Sequence, residues 1–194
     1  MSIDQPPRVV RLDSARLRVL AHPLRSRLLA ALRVYGPATS TGLAHRLSTN
    51  SGATSYHLRK LAEVGLVEEE KERGARRERW WQAAHDVTSW AETEFLDNPA
   101  DSAAADWLLG HHTRTKVRWV DDWLASRHNW PLEWRNAADS FDFELRLNPR
   151  QLSALNHELH DVIDRYRTAE AEPSGDIERV LVLLDSFPSP QPRI

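Results

Sequence analysis

The sequence predicts an α+β chain, mainly helical with a small β component, and three patterns support that expectation. Leucine and alanine recur at helical spacing through residues 17–32, 43–47 and 58–62. Residues 141–147, FDFELRL, alternate strictly between apolar and charged side chains, which is the period of a half-buried strand. Turn-forming stretches, GP at 36–37, STNSG at 48–52 and NP at 98–99, separate the periodic segments.

In chain order, the opening residues with Pro6 and Pro7 read as a flexible arm over 1–13. From Ser14 a helical pattern runs to Tyr35 through Leu17, Leu20, Leu24, Leu28 and Leu32, and Pro23 breaks it near His22. Gly36-Pro37 ends it. Thr39, Ser40 and Thr41 offer capping oxygens to a short helix over 42–47, and Ser51 is placed to cap the next, over 51–61. That second helix has one narrow apolar stripe, Leu58, Leu61 and Ala62, with Gly65 as its stop. Two short helices across a tight turn, behind a longer one, have the layout of a helix-turn-helix, whose second helix presents its exposed face to the DNA major groove. Leu66-Val67 and Arg79-Trp80-Trp81 suit strand ends, with Gly74 at the reversal. A hairpin there completes a winged helix-turn-helix domain over 14–85.

Residues 86–138 read as a connector and a long dimerisation helix, 101–127, capped by Asp101 or Ser102. A strand-helix-strand module is expected over 139–186. Its strands are 141–147 and 179–184 (RVLVLL), and between them Pro149 opens a helix with Leu152, Leu155, Leu159, Val162, Ile163 and Tyr166 on one face. The proline-rich end, 187–194, reads as a flexible tail.

The net charge of −2 conceals an asymmetry. Residues 1–85 hold 15 Lys/Arg against 8 Asp/Glu, and residues 86–194 hold 11 against 20. A basic half joined to an acidic half suggests that the first meets a polyanion. The sequence has no cysteine, which excludes disulfides, thiolate metal sites and thiol redox sensing. It has no apolar run near the ~20 residues of a membrane span, and its opening residues do not follow a signal-peptide pattern. The cytoplasm is the expected compartment, with no membrane partner. No glycine-rich phosphate loop, nucleophile elbow or paired acid/base motif is present, so no enzymatic activity is expected.

Four stretches together are similar to one family: LAHPLRSRLL at 20–29, GPATSTGLAHRL at 36–47, SGATSYHLRKLAEVGLVEEE at 51–70 and GARRERWW at 74–81. Over about residues 15–85 the chain resembles the ArsR-like winged-helix transcriptional regulators, in particular their longer actinobacterial-type members. The resemblance implies a dimeric, repressor-type regulator that binds double-stranded DNA. Metal sensors of that family often carry a cysteine pair near the DNA-reading helices, and this chain has none.

Candidate DNA contacts on the second helix are Ser51, Gly52, Thr54, Ser55, Tyr56, Arg59 and Lys60. Gly52 allows close backbone approach, and the first-turn N–H groups suit a phosphate. Arg59 can fork onto a guanine edge. In the hairpin, Arg73, Arg76, Arg77 and Arg79 surround Gly74 and suit the phosphate backbone or the minor groove. The bland alternative for each is a solvated surface. His157 and His160 lie three apart on a helix, but a four-ligand site would need both subunits, so no metal or cofactor is expected. Six of the eight tryptophans lie between 90 and 134. Trp107, Leu108, Trp119, Val120 and Trp123 are candidates for a dimer seam or a hydrophobic effector pocket. The expected function is sequence-specific transcriptional regulation as a homodimer. A regulator sensing an unknown small molecule and a winged helix used for protein–protein contact are the alternatives.

Overall fold

The computed structural model describes residues 8–71, 78–168 and 177–189. Its contacts divide the chain into two units that meet within one long helix, between Thr115 and Lys116.

The first unit begins with β1 (Val9–Arg11) and α1 (Ser14–Leu20), the latter capped by Asp13, whose Oδ1 accepts from Arg16 N at 2.8 Å. The chain breaks at Ala21-His22 as expected, and α2 (Pro23–Tyr35) restarts with proline in its first turn, where no intrahelical donor is needed. His22 caps it: Nδ1 accepts from Leu24 N at 3.2 Å. β2 (Ala38–Thr39) leads into α3 (Ser40–Arg46), capped by the Thr39 hydroxyl. The turn after α3 holds Ser48 at φ 52°, a left-handed conformation more usual for glycine, and α4 (Ser51–Glu63) follows.

The α4 cap corrects an expectation. Asn50, not Ser51, takes the role, its Oδ1 accepting from Ala53 N at 2.7 Å, because Asn50 is the last extended residue and Ser51 is already helical. At the other end Gly65 adopts φ 70°, so that Gly65 N donates to Ala62 O and Leu66 N to Leu61 O, both at 3.0 Å. These two bonds make a Schellman motif, which turns the chain sharply into β3 (Val67–Glu69).

β4 (Trp80–Ala83) pairs antiparallel with β3 on one side and β2 on the other, in the order β2-β4-β3. The register sets Val67 opposite Ala83 and Thr39 opposite Trp80. Trp81 points into the core and Trp80 is half-buried, the alternation a strand imposes. β5 (Val87–Ser89) pairs in parallel with β1. Val9–Arg11 is therefore not part of a flexible arm. A three-residue strand is too short to show a period, and its partner lies 78 residues away.

A 3₁₀ turn (Glu92–Phe95) precedes α5 (Pro99–Ser126). Asn98, rather than Asp101 or Ser102, caps α5, accepting at Oδ1 from Ala100 N at 2.9 Å. Asp101 is instead buried and held by the Arg18 guanidinium of α1, Nε to Oδ1 and Nη2 to Oδ2. That pairing holds the carboxyl below its ordinary pKa. The core gathers Leu17, Leu28, Leu29, Leu43, Leu58, Leu61 and Leu66 around Trp81, with Phe95, Ala105 and Leu108 completing it.

In the second unit, the C-terminal half of α5 is followed by a 3₁₀ turn (Arg127–Asn129), α6 (Leu132–Ala137) and α7 (Pro149–Thr168). α7 opens with a reciprocal capping pair: Gln151 N donates to Asn148 Oδ1 at 2.9 Å, and Asn148 N to Gln151 Oε1 at 3.0 Å. Leu152, Leu155, Leu159 and Ile163 form its half-buried face. The strands expected at 141–147 and 179–184 do not form. Phe141 and Phe143 pack on each other, ring centroids 5.2 Å apart, and both are exposed, as are Val180, Leu181 and Val182. Alternation makes a segment able to be a strand, but a strand exists only when a neighbour accepts its ladder hydrogen bonds. No helix among the described residues is long and apolar enough to cross a membrane.

Candidate nucleic-acid interface

α4 is anchored by Thr54, Leu58 and Leu61, spaced i, i+4, i+7, all buried. Thr54 has no exposed surface, and its hydroxyl donates to Asn50 O at 2.9 Å. It is therefore a packing residue and not a DNA contact. At 100° per residue it falls on the same stripe as Leu58, one turn earlier.

The opposite face of α4 carries Ser51, Gly52, Tyr56 and Arg59, all exposed, with Ser55 half-buried on a flank. Tyr56 is 53% exposed and lies edge-on to His57 at 5.2 Å. Lys60 is half-buried and engaged by Glu63, which accepts from Nζ at 2.8 Å and raises the ammonium's pKa. Arg59 has no hydrogen-bond or ion-pair partner among the described residues. Of the two cations on this helix, Arg59 is the one without a partner among the described residues.

His57 packs at the margin of the apolar stripe, its ring 4.4 Å from that of His22 at the start of α2. Burial, with the neighbouring Arg25 cation, pushes both imidazoles below their ordinary pKa. Neutral rings here let α2 and α4 approach without adding two charges to their seam.

In the hairpin, Arg79 Nε contacts Glu69 Oε2 at 3.2 Å, and its guanidinium lies 5.7 Å from the centroid of the Trp81 ring. Arg73, Arg76 and Arg77 lie outside the described residues. Ser55 Oγ donates to Ser40 Oγ at 3.1 Å, tying α4 to the first turn of α3. Ser40, Ser55, Arg59, Arg79 and Trp81 line one concavity of about 370 Å³. The sequence offered no sign of Ser40's part in it, since that depends on how α3 crosses α4.

The tryptophan-rich residues separate into distinct roles. Leu108 is fully buried in the first unit with Ala104 and Ala105, so it belongs to that core and not to a seam or an effector pocket. Its position on the inward stripe of α5 leaves it no free surface. Trp107 packs partly against the same core and stacks on His111 at 4.9 Å. Trp119 and Val120 are exposed. Trp123 is half-buried, its ring 6.4 Å from Trp130. With Arg127, Leu132, Arg135 and Asn136, Trp123 lines a second concavity of about 330 Å³. Among the described residues no three His, Asp or Glu side chains group as metal ligands.

Residues 20–70 match the family model for the helix-turn-helix domain. None of the curated proteins matches the chain significantly. Among solved structures, the chain is similar to a "possible transcriptional regulator for arsenical resistance", with 29% identity, 55% of this chain and 94% of that chain covered, and a TM-score of 0.32. It is also similar to the homodimeric winged helix-turn-helix DNA-binding domain of a possible ArsR-family regulator from Mycobacterium bovis. That match has 22% identity, 60% and 85% coverage and a TM-score of 0.32. A MarR family regulator from Neisseria meningitidis matches at 17% identity, 77% and 79% coverage and a TM-score of 0.32. The family match falls inside the stretch that carries the resemblance to ArsR-like winged helix-turn-helix regulators, and that resemblance stands.

Proposed function

We propose, from the premise that residues 20–70 form a helix-turn-helix domain, that the protein is a sequence-specific DNA-binding regulator of transcription. It acts as a homodimer and represses by occupying its operator. The observation that carries this reading is the division of α4 into two faces. Thr54, Leu58 and Leu61 hold it on the core, and Gly52, Tyr56 and Arg59 stand in solvent beside a three-stranded wing. An exposed second helix of this kind enters the major groove, where side chains reach base edges. The hairpin arginines Arg73, Arg76 and Arg77 supply backbone contacts, which position the protein without reading sequence. The protein-contact alternative is disfavoured by the +7 balance of residues 1–85.

The α5 surface supports the proposed dimer. Val117, Trp119, Val120 and Leu124 are all exposed on its C-terminal half. A twofold pair sets two reading helices about one DNA turn apart.

The test is selection of bound duplexes from random DNA, followed by titration of wild type and Tyr56→Ala against the selected and a scrambled duplex. Wild type selects a defined, twofold-related sequence, and Tyr56→Ala loses part of the preference. Failure of wild type to select any sequence refutes the reading.

A second reading adds effector sensing, favoured by the concavity beside Trp123 with its two guanidinium neighbours, Arg127 and Arg135. Its ligand is an apolar compound with an anionic group, the two arginines outnumbering the one carboxylate of the lining, Asp139. Quenching of tryptophan emission by such a compound, lost in Arg135→Ala, supports it, and an unresponsive protein refutes it.

A further inference from the structure

The concavity lined by Ser40, Ser55, Arg59, Arg79 and Trp81 belongs to three elements at once: the start of α3, the middle of α4 and the wing strand β4. Two guanidiniums from different elements converge on it. Like charges brought together on a folded surface repel unless an anion lies between them. Glu69 forms an ion pair with Arg79, Nε to Oε2 at 3.2 Å, and orients that group, while Arg59 has no counter-ion among the described residues. Trp81 is buried and contributes an apolar wall, the Arg79 guanidinium lying 5.7 Å from its ring centroid. Ser55 Oγ donates its proton to Ser40 Oγ at 3.1 Å, which leaves the Ser40 hydroxyl as the donor of the pair. Two cations and one free hydroxyl donor beside an apolar ring suit a tetrahedral oxyanion.

Its place in the fold identifies the source of that oxyanion. If α4 lies in the major groove and the wing reaches the adjacent minor groove, one sugar-phosphate strand must pass between them. The concavity lies between those two elements. We infer that it seats a backbone phosphate of the DNA strand separating the two grooves, and that Arg59 is a phosphate ligand, not a reader of bases. This rests on the DNA-regulator reading above and refines it, because it transfers base recognition to the N-terminal turn of α4 and Tyr56.

The two roles of Arg59 differ in their signatures. A phosphate contact adds affinity on any sequence and releases counterions, whereas a base contact adds discrimination. The experiment uses the full chain with the selected and scrambled duplexes at several salt concentrations, melting curves serving as folding controls. Arg59→Ala weakens binding to both duplexes by the same factor, and the log–log salt slope falls by about one unit. Arg59→Lys keeps most of the slope, since the point charge remains. Neutral methylphosphonate linkages, placed singly along the strand between the grooves, identify one position that weakens wild type, weakens Arg59→Ala and Arg79→Ala less, and has no further effect on the double variant.

Loss of preference for the selected duplex in Arg59→Ala, with an unchanged salt slope, makes Arg59 a base reader and overturns the inference while leaving the regulator reading intact. Inorganic phosphate is the control for a small-anion site. Micromolar binding of phosphate that Arg59→Ala abolishes, with duplex affinity unaltered, assigns the seat to a free anion and equally overturns it. If wild type binds no duplex, both readings fall.

Discussion

His85 provides the most quantitative test of the first unit. It follows β4 and is fully buried; Nε2 lies 3.2 Å from Thr88 Oγ1, and Nδ1 has no hydrogen-bond partner among the described residues. Arg33 closes the site, donating from Nη2 to Thr88 Oγ1 at 2.5 Å and from Nε to His85 O at 3.3 Å. An imidazolium would need an acceptor at each ring nitrogen and would sit beside a cation. Burial, then Arg33 and Arg8, push the His85 pKa down to about 4; Asp86 opposes them only partly.

The sign follows from the two states. The folded ring stays neutral down to about pH 4, and the unfolded ring takes up a proton from 6.5 downward. Stability from this group is therefore full above pH 6.5, falls between 6.5 and 4, and levels off below. At about 1.4 kcal/mol per pH unit, the gap corresponds to roughly 3 kcal/mol, a large share of the ~5–15 kcal/mol that a domain has in total. His85→Gln keeps a polar group toward Thr88 and removes the titration. Urea unfolding at half-unit steps from pH 7.5 to 4 gives the free energy of each protein. The variant is less stable at pH 7.5, and the difference between the two shrinks by about 3 kcal/mol by pH 4. Parallel profiles refute the account, as does a His85 resonance titrating near 6.5.

Three further outcomes are expected. Leu58→Ala, in the buried stripe of α4, costs about 2–5 kcal/mol in urea unfolding, whereas Tyr56→Ala on the exposed face changes stability by less than about 0.5 kcal/mol. Sedimentation at tens of micromolar gives a dimer, and Trp119→Asp with Leu124→Asp shifts it to monomer, because both side chains are exposed on α5. Replacing His157 and His160 with alanine leaves DNA affinity unchanged with and without zinc; a zinc response that disappears in this variant contradicts the expectation of no metal control.

The helices of the first unit are legible because their signals are local. Pro23 in the chain at His22, Gly65 after a helical stripe and Thr39 before a short one each act over a single turn, through a missing N–H, a left-handed φ or a capping oxygen. The same locality explains why Leu58 could be placed on the core-facing stripe from spacing alone, whereas which of Trp80 and Trp81 turns inward is decided by the pairing of β4. Features that depend on residues far apart in the chain were not available that way. Asp101 reads as a helix cap until Arg18, 83 residues earlier, is brought against it. Val9–Arg11 becomes a strand only because β5 lies alongside. Thr54 resembles a hydroxyl aimed at DNA until the helix is set on its core. Segments 141–147 and 179–184 have the alternation of strands but no ladder, since hydrogen bonds between strands need a neighbour that no local pattern can supply. The seat formed by Ser40, Arg59 and Arg79 arises in the same way: three ordinary surface residues acquire a shared chemistry only where α3, α4 and β4 cross, because the field of each guanidinium acts through space and not along the chain.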